Sequence, residues 1–361
     1  MKMRKIVCSF MISVVCFMTA ISGVSATSYD TSKINAAYSK VVEYYKNNNN
    51  LNNADKILAV ESLGLEAESN QFDTSSADLS STSLSKNIVT EVLLGVDPTE
   101  DKKTLESQID ENGNVEGSWG ASSDVWTLYA LYVTSSEKTN LIANKLNDEL
   151  AASSVCGYEW GGTYYADYDT TGWVIEGLAV VNKEKYATTI NKAIDYIKNN
   201  TTMTTTGWVT ADNVDTQSQV LEGMFAYDTN ALLNDSYTVH PVDCLLNTQL
   251  SDGSFPSGYN AEYTTAEVAK TLGTYKNGSV IIKAKKAYDK MMNPEQPDNT
   301  KPAQPTDTKK DSQSTNKVET TNQKTTSVKT GDETNVVIFV SLSMVSGGLF
   351  LVLRKEYERV H

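Results

Sequence analysis

A unit of the chain reads Leu245-Leu246-Asn247-Thr248-Gln249-Leu250-Ser251-Asp252-Gly253-Ser254-Phe255 and is followed closely by Thr264-Thr265-Ala266. It places a glycine-containing loop before a helix-forming segment, and the arrangement recurs with a period of about 41 to 48 residues. Such repeats pack side by side, because one unit cannot bury its inner helix alone. The other three units are Gly117-Ser118-Trp119 before Asp124, Trp160-Gly161-Gly162 before Asp169-Thr170-Thr171, and Gly207-Trp208 before Asp215-Thr216.

Two kinds of helix alternate along these repeats. One kind is amphipathic, as in the stripe from Ile34 to Tyr45, and the other is apolar nearly all round, as in Val125–Val133 and Trp173–Val181. Helices of the second kind must be enclosed. We therefore predict an all-α domain, built as a closed (α/α)6 ring of six hairpins with the enclosed helices inside. The predicted helical segments lie near residues 31–47, 54–64, 85–95, 101–109, 123–134, 139–150, 170–182, 184–199, 215–227, 240–249, 264–276 and 279–292.

The Leu245–Phe255 unit resembles the Gln-x-x-Asp-Gly-Ser-Phe/Trp repeat of the prenyltransferase and squalene cyclase superfamily, and Gln108–Trp119 is a looser copy. The resemblance covers roughly residues 30–292 and implies an (α/α)6 toroid. The superfamily includes terpene cyclases, protein prenyltransferase β subunits, cobalamin carriers and complement-type thioester domains. The repeat therefore indicates a fold and leaves the chemistry open.

Both ends of the chain carry segments that direct it to a cellular location. Three basic residues precede an apolar run from Ile6 to Ile21, and small residues end at Ala26, which predicts a signal peptide over residues 1–26. Residues 27–292 form the predicted toroid domain. Residues 293–330 are rich in Thr, Pro, Lys and Gln and can bury too little apolar area to fold, which predicts a disordered stalk.

Residues 331–361 are typical of a C-terminal anchor. The apolar segment 336–353, read as one helix, is long enough to cross a bilayer, and a basic tail follows it. The upstream Ser327–Asp332 resembles the Leu-Pro-x-Thr-Gly sorting signal of Gram-positive surface proteins, with Ser and Val in place of Leu and Pro. In that family the chain is cut at the bond that here joins Thr330 to Gly331.

Two anchoring interpretations follow. A sortase could link the protein to peptidoglycan, or the apolar segment could remain as a single membrane span with its C-terminus in the cytoplasm. In both, the protein is exported and displayed on the cell wall or membrane surface. The formal net charge of −14, and the absence of a Lys- and Arg-rich block in the predicted domain, argue against nucleic acid as a partner.

The predicted ligand site is the rim where the enclosed helices begin. The connections that lead into these helices are long, and strict up-and-down order brings their N-termini to one end of the ring. We expect a small molecule, a glycan or a protein to bind there. The candidate rim residues are Trp119, Asp124, Trp160, Tyr164, Tyr165, Tyr168, Trp208, Asp215 and Phe255.

Asp167 and Asp169 offer the strongest chemical signal. They match the first two acids of the Asp-x-Asp-Asp motif with which class II terpene cyclases protonate an alkene, whereas Thr170 replaces the third. The alternative is that Asp124, Asp169 and Asp215 are the N-caps of three enclosed helices. Because the acid recurs in three repeats, we favour capping.

Other catalytic classes find less support in the sequence. The folded part has one histidine, His240, and lacks the Asp, Cys and His set of a prenyltransferase zinc site, so no metal and no cofactor is predicted. A glycosidase of the (α/α)6 type stays open, because Trp, Tyr and carboxylates suit sugars. Cys156 and Cys244 could form a disulfide in an exported protein or remain two buried thiols.

The sequence therefore favours a surface-anchored, non-catalytic toroid that binds a ligand or partner at its long-loop rim. An enzyme of the same fold, similar to a squalene cyclase or an (α/α)6 glycosidase, is the first alternative. An adhesin or structural spacer is the second.

Overall fold

The computed structural model describes residues 29–68, 72–74, 80–160, 163–200, 214–237 and 239–294, without the side chains of residues 158–160 and 164. Within these ranges it has eleven helices and one β-hairpin, so the prediction of an all-α domain is confirmed. The elements are α1 (Thr31–Asn47), α2 (Ala54–Ser62), α3 (Ser81–Leu93), α4 (Thr99–Ser107), α5 (Ala121–Val133), α6 (Thr139–Ser153), β1 (Gly157–Trp160), β2 (Thr163–Ala166), α7 (Tyr168–Asn200), α8 (Val214–Asn234), α9 (Pro241–Leu246), α10 (Ala261–Asn277) and α11 (Val280–Met292).

The predicted helical segments match these helices closely. α7 contains two of them, joined through a kink at Asn182, whose side chain accepts a hydrogen bond from the backbone N–H of Lys185 (2.9 Å). α8 is kinked in the same way at Asp228. A side-chain cap at each kink starts a second helix without a separate turn. The β1–β2 hairpin, antiparallel with Gly157 opposite Ala166, was not predicted.

Six helices form a closed cycle of contacts, which we call the inner cycle. α2 packs on α3, α3 on α5, α5 on α7, α7 on α8, α8 on α10, and α10 returns to α2. α5 is buried on nearly all sides, as its apolar sequence from Val125 to Val133 requires. By contrast, α1 buries only a stripe formed by Ile34, Ala37, Val41 and Tyr45.

α11 differs from its expected place outside the inner cycle. It begins directly after α10, yet it also packs against α3 and α5. Together with a smaller contact to α2, these contacts cross half of the inner cycle, from α10 to α5. Its buried residues are Val280, Ile281, Ala284 and Tyr288.

The predicted signal peptide, stalk and anchor, with Thr330 and Gly331, lie outside the described residues. Among the helices that are described, none has an apolar stretch long enough to span a membrane.

Glycines set the closest approach in the inner cycle. A methyl group at Gly223 of α8 would overlap the carbonyl oxygen of Gly172 in α7, and one at Gly172 would overlap the carbonyl oxygen of Gln219. Gly273 of α10 meets Ser62 of α2 in the same manner. The backbones of these helices touch because no side chain separates them.

Gly223→Ala should therefore lower the free energy of unfolding by about 2 to 3 kcal/mol, although alanine is the better helix former. Gly258→Ala is the matched control, since nothing lies within 4 Å of the added methyl group. We expect the control to change stability by less than about 0.5 kcal/mol. Chemical denaturation measures both, and an equally stable Gly223→Ala protein would contradict the close approach of α7 and α8.

Candidate functional site

The exposed aromatic side chains lie in segments that lead into helices of the inner cycle. Among the described side chains, only three aromatic ones are exposed: Trp119 (76 %), Tyr165 (44 %) and Tyr259 (49 %). Each lies in the segment that leads into a helix of the inner cycle, α5, α7 or α10 respectively. Trp119 and Tyr165 were predicted at the rim, whereas Tyr259 was missed.

The segments that lead into α5 and α7 lie at the same end of the domain. Lys145 of α6 pairs with Asp124 in the first turns of α5 (2.9 Å). Glu149, one turn later in α6, lies close to Cys156, which comes directly before the hairpin that leads into α7. The C-terminal part of α6 therefore contacts both the start of α5 and the segment that leads into α7.

Two predicted rim residues have structural roles instead. Phe255 is fully buried, because the tight turn at Gly253 directs it inward, and its backbone N–H donates to Thr265 Oγ1 (3.0 Å). Asp124 is also fully buried, where it accepts a hydrogen bond from Ser118 (2.6 Å) besides its ion pair with Lys145. Neither can reach a ligand, so these two predictions are wrong.

The remaining predicted aromatic residues are only partly covered by the structure. Tyr168 begins α7 and is half-buried. Trp208 and the side chains of Trp160 and Tyr164 lie outside the described part of the chain.

Asp167, not Asp169, makes the capping hydrogen bonds of α7. The helix begins at Tyr168, and the Asp167 carboxylate accepts from the backbone N–H of Thr170 (3.3 Å) and from its hydroxyl (2.7 Å). The capping interpretation of Asp169 is therefore wrong. It is also wrong for Asp124, because α5 begins at Ala121, with Gly120 as its N-cap.

Asp169 is free for another role. Its carboxylate accepts a hydrogen bond from Thr216 of α8 and has the charges of Asp167, Asp215 and Glu267 nearby. Burial, followed by the charge of Asp167, raises the pKa of Asp169 to about 7. The group can therefore hold or release a proton near neutral pH.

Asp215 and two tyrosines complete the cluster. The Tyr259 hydroxyl donates a hydrogen bond to Asp215, whose pKa is raised by burial. The ring centroid of Tyr263 lies 6.2 Å from that of Tyr259. We name Asp167, Asp169, Asp215, Tyr259 and Tyr263 the acidic mouth.

A buried polar network lies deeper on the same helices. Lys270 Nζ is 3.0 Å from Glu267 Oε1 and 3.9 Å from Glu222 Oε2. Gln219 Nε2 donates to Glu267 Oε2 (3.1 Å) and to the hydroxyl of Tyr263 (3.3 Å). The network thus continues from the acidic mouth into the interior.

Glu176 of α7 forms the far part of this network. Its carboxylate accepts hydrogen bonds from Ser279 (2.6 Å) at the start of α11 and from Tyr129 of α5 (2.9 Å). Burial raises the pKa of Glu176 and, to a greater extent, that of Glu222, although Lys270 acts in the opposite direction. One lysine thus faces three buried glutamates.

These buried glutamates were not predicted, because apolar residues surround them in the sequence. A signal was present nonetheless. Glu176 follows Asp169 by seven residues and precedes a glycine, and Glu222 has the same relation to Asp215. A spacing of seven residues places both acids on one face of a helix, about 10 Å apart.

Neither a disulfide nor a metal cluster is present in the described residues. Cys156 and Cys244 are both buried and are not joined in a disulfide. Of the two interpretations of these cysteines, the structure thus has two buried thiols: Cys156 lies against Thr171 of α7, whereas Cys244 belongs to α9, which packs on α8 and α1. No group of three or more His, Cys, Asp or Glu side chains in the described ranges could hold a metal ion.

Comparison with known proteins gives no relative. No protein-family model, no curated protein and no solved structure matches the chain. The resemblance of the Leu245–Phe255 unit to the prenyltransferase and squalene cyclase repeat therefore stays an expectation from the sequence.

The raised pKa of Asp169 has a consequence for stability. The native state holds this proton more tightly than the unfolded chain, so ionisation lowers stability as the pH rises from about 4 to about 7. We expect Asp169→Asn to have little effect at pH 4 and to raise the free energy of unfolding by about 2 kcal/mol at pH 8, as measured in urea. Asp167→Ala, which removes the cap, should instead lower stability by about 1 kcal/mol at both pH values. A loss of stability in Asp169→Asn at pH 8 would argue that Asp169 supports the helix as an anion.

Proposed function

We propose that the helical domain binds a ligand at the acidic mouth and the neighbouring aromatic side chains, and that it does so on the outer surface of a Gram-positive cell. The binding part of the proposal depends on one observation. The three exposed aromatic side chains in the described part of the chain all lie in segments that lead into helices of the inner cycle. Exposed aromatic residues beside convergent polar groups are typical of binding sites.

We further propose that the domain is an (α/α)6 toroid related to the prenyltransferase and squalene cyclase superfamily. The closed contact order of the inner cycle supports this proposal. So do the contacts from Asp169 to Thr216 and from Asp215 to Tyr259, which bring the starts of α7, α8 and α10 together, as parallel neighbours require.

Surface display is proposed from the sequence alone. The signal peptide over residues 1–26, the stalk over 293–330 and the anchor over 331–361 support it. A ligand that binds at one end of the domain would be accessible from outside the cell, because the stalk would give the domain reach. Peptidoglycan, through Thr330, or the membrane, through residues 336–353, would hold the protein in place.

The binding proposal can be tested by removing exposed aromatic side chains. A thermal-shift screen of sugars, corrinoids, peptidoglycan fragments and isoprenoids supplies a ligand. Trp119→Ala combined with Tyr259→Ala should then weaken binding at least about 10-fold in calorimetry, because aromatic side chains supply much of the apolar contact in such sites.

The control removes two exposed apolar side chains of α11, Ile282 and Met292, which are 36 % and 51 % exposed. Replacement of both with alanine should leave the affinity unchanged. A ligand that binds the aromatic double variant as tightly as the native protein would refute the proposed site. If no compound in the screen binds, the result favours the interpretation of the protein as an adhesin or structural spacer.

A second candidate function is acid catalysis, and the protonation of Asp169 favours it. The resemblance to a terpene cyclase motif implies a central acid that is protonated at neutral pH, and the pKa of Asp169 lies at about 7. A glycosidase would use the same group as its acid, with Asp215 as the second carboxylate.

Product formation separates catalysis from binding. Incubation with polyene isoprenoids and with oligosaccharides, followed by mass spectrometry, should yield a product if the domain is an enzyme. Asp169→Asn should then abolish turnover without loss of stability. Product formation that survives this change would exclude Asp169 as the acid.

A further inference from the structure

We propose that the ligand of the acidic mouth carries a cationic nitrogen, as in a polyamine or an amino sugar. This inference rests on the proposed function, since it names the chemical class of the ligand at that same site. It follows from three features of the mouth: its surplus of hydrogen-bond acceptors, the absence of any ion pair at its three aspartates among the described residues, and the exposed ring of Tyr259.

Most polar atoms of the acidic mouth are acceptors, because three of its five side chains are carboxylates. The hydroxyl of Tyr259 already donates to Asp215, and Thr216 donates to Asp169, whereas the hydroxyl of Tyr263 accepts from Gln219 and keeps its own proton. Gln219 lies one turn after Asp215 on the same face of α8, is 1 % exposed, and its Oε1 has no hydrogen-bond partner among the described residues. A buried acceptor without a partner is costly, so a ligand that donates hydrogen bonds would be favoured here.

In the described part of the chain, Asp167, Asp169 and Asp215 form no ion pair with a lysine or arginine. Lysines that pair with buried acids lie elsewhere: Lys145 pairs with Asp124, Lys270 with Glu267 and Glu222, and Lys283 with Glu61. The sequence explains why, because residues 146–182 and 199–269 contain no Lys or Arg. These two ranges include every segment that leads into α7, α8 and α10.

The helix N-termini do not reverse this charge. Each contributes roughly half a positive charge, which is less than one carboxylate carries. In the first turn of α7, the backbone N–H of Thr170 already donates a hydrogen bond to Asp167. An anionic ligand would therefore meet a surplus of negative charge, whereas a cation would relieve it.

The aromatic faces suit the same ligand. Tyr259 is 49 % exposed while its hydroxyl stays bound to Asp215, so its ring is presented beside a carboxylate. A cationic nitrogen can pair with the carboxylate and rest on the ring at the same time, and the two attractions reinforce each other.

Binding of a cation should also release a proton. Asp169 faces Asp167 from its own segment, Asp215 from α8, Tyr259 from the segment before α10, and Glu267 and Tyr263 from α10. Among the described residues, Glu267 is the member of this group that pairs with a cation, Lys270 at 3.0 Å. A bound cation would favour the ionised form of Asp169. The affinity for spermidine, whose alkyl amines stay largely protonated over this range, should therefore rise at least about 3-fold as the pH increases from 6 to 8.

A matched pair of probes tests the inference. The glucosamine tetramer and the N-acetylglucosamine tetramer share a sugar backbone, but only the first is cationic, and spermidine supplies a cation without a sugar. In calorimetry at low ionic strength, the glucosamine tetramer and spermidine should each bind at least 10-fold more tightly than the acetylated tetramer. Asp169→Asn combined with Asp215→Asn should weaken both cationic probes at least 10-fold.

The control addresses attraction to the negative protein as a whole. Glu100→Gln combined with Asp289→Asn removes the same number of charges from exposed positions on α4 and α11. Its affinity for the cationic probes should stay within 2-fold of the native value. Thermal unfolding of both double variants shows whether they remain folded, and Tyr259→Ala provides a second variant that leaves the acids in place.

Each outcome supports or overturns a definite statement. Equal binding of the acetylated tetramer, or cationic binding that both double variants weaken alike, would overturn the inference. A neutral ligand whose binding is lost in the Trp119→Ala and Tyr259→Ala double variant would overturn it too, yet would leave the proposed function intact. Binding that no change in the mouth affects would overturn both.

Discussion

Lys270 is the only buried lysine in the described part of the chain, and its ammonium group faces three buried glutamates. α7 contributes Glu176, α8 contributes Glu222, and α10 contributes Glu267 together with Lys270 itself. One ammonium group cannot neutralise three carboxylates in an interior that penalises charge, and burial accordingly raises the pKa of Glu176 and of Glu222. The network fixes how α7, α8 and α10 face one another, since each hydrogen bond fails if a helix rotates.

The geometry of the acidic mouth depends on this buried network of glutamates and Lys270. Asp169 and Asp215 lie two turns before Glu176 and Glu222 on the same helices, so a rotation that satisfies the glutamates also turns both aspartates toward their neighbours. The close contact of Gly172 with Gly223 removes the remaining freedom between α7 and α8. A ligand site at the start of these helices is therefore built on rigid elements, with the aromatic side chains supplied by the preceding segments.

Much of this fold could be predicted from the sequence, because an apolar stripe of helical period marks the amphipathic helices and a continuous apolar run marks enclosed helices such as α5. The features that could not be predicted depend on tertiary contacts, which the local sequence does not record. Phe255 is apolar in a glycine-rich loop, and only the turn at Gly253 against α1 determines that it points inward. The cap of α7 fell on Asp167 rather than Asp169, a shift of two residues that changes the role of both acids. The crossing of α11 depends on its contacts with α3 and α5, which no local pattern records.

The acidic mouth holds crowded carboxylates, and its three aspartates form no ion pair with a lysine or arginine in the described part of the chain. The most direct measurement is the titration of the Asp169 carboxyl carbon by NMR in the native chain without ligand. Our account predicts a pKa near 7 for Asp169, because burial and the charge of Asp167 both oppose its ionisation. A pKa close to 4, the value of a solvated aspartate, would show an open or neutralised site and would contradict the account.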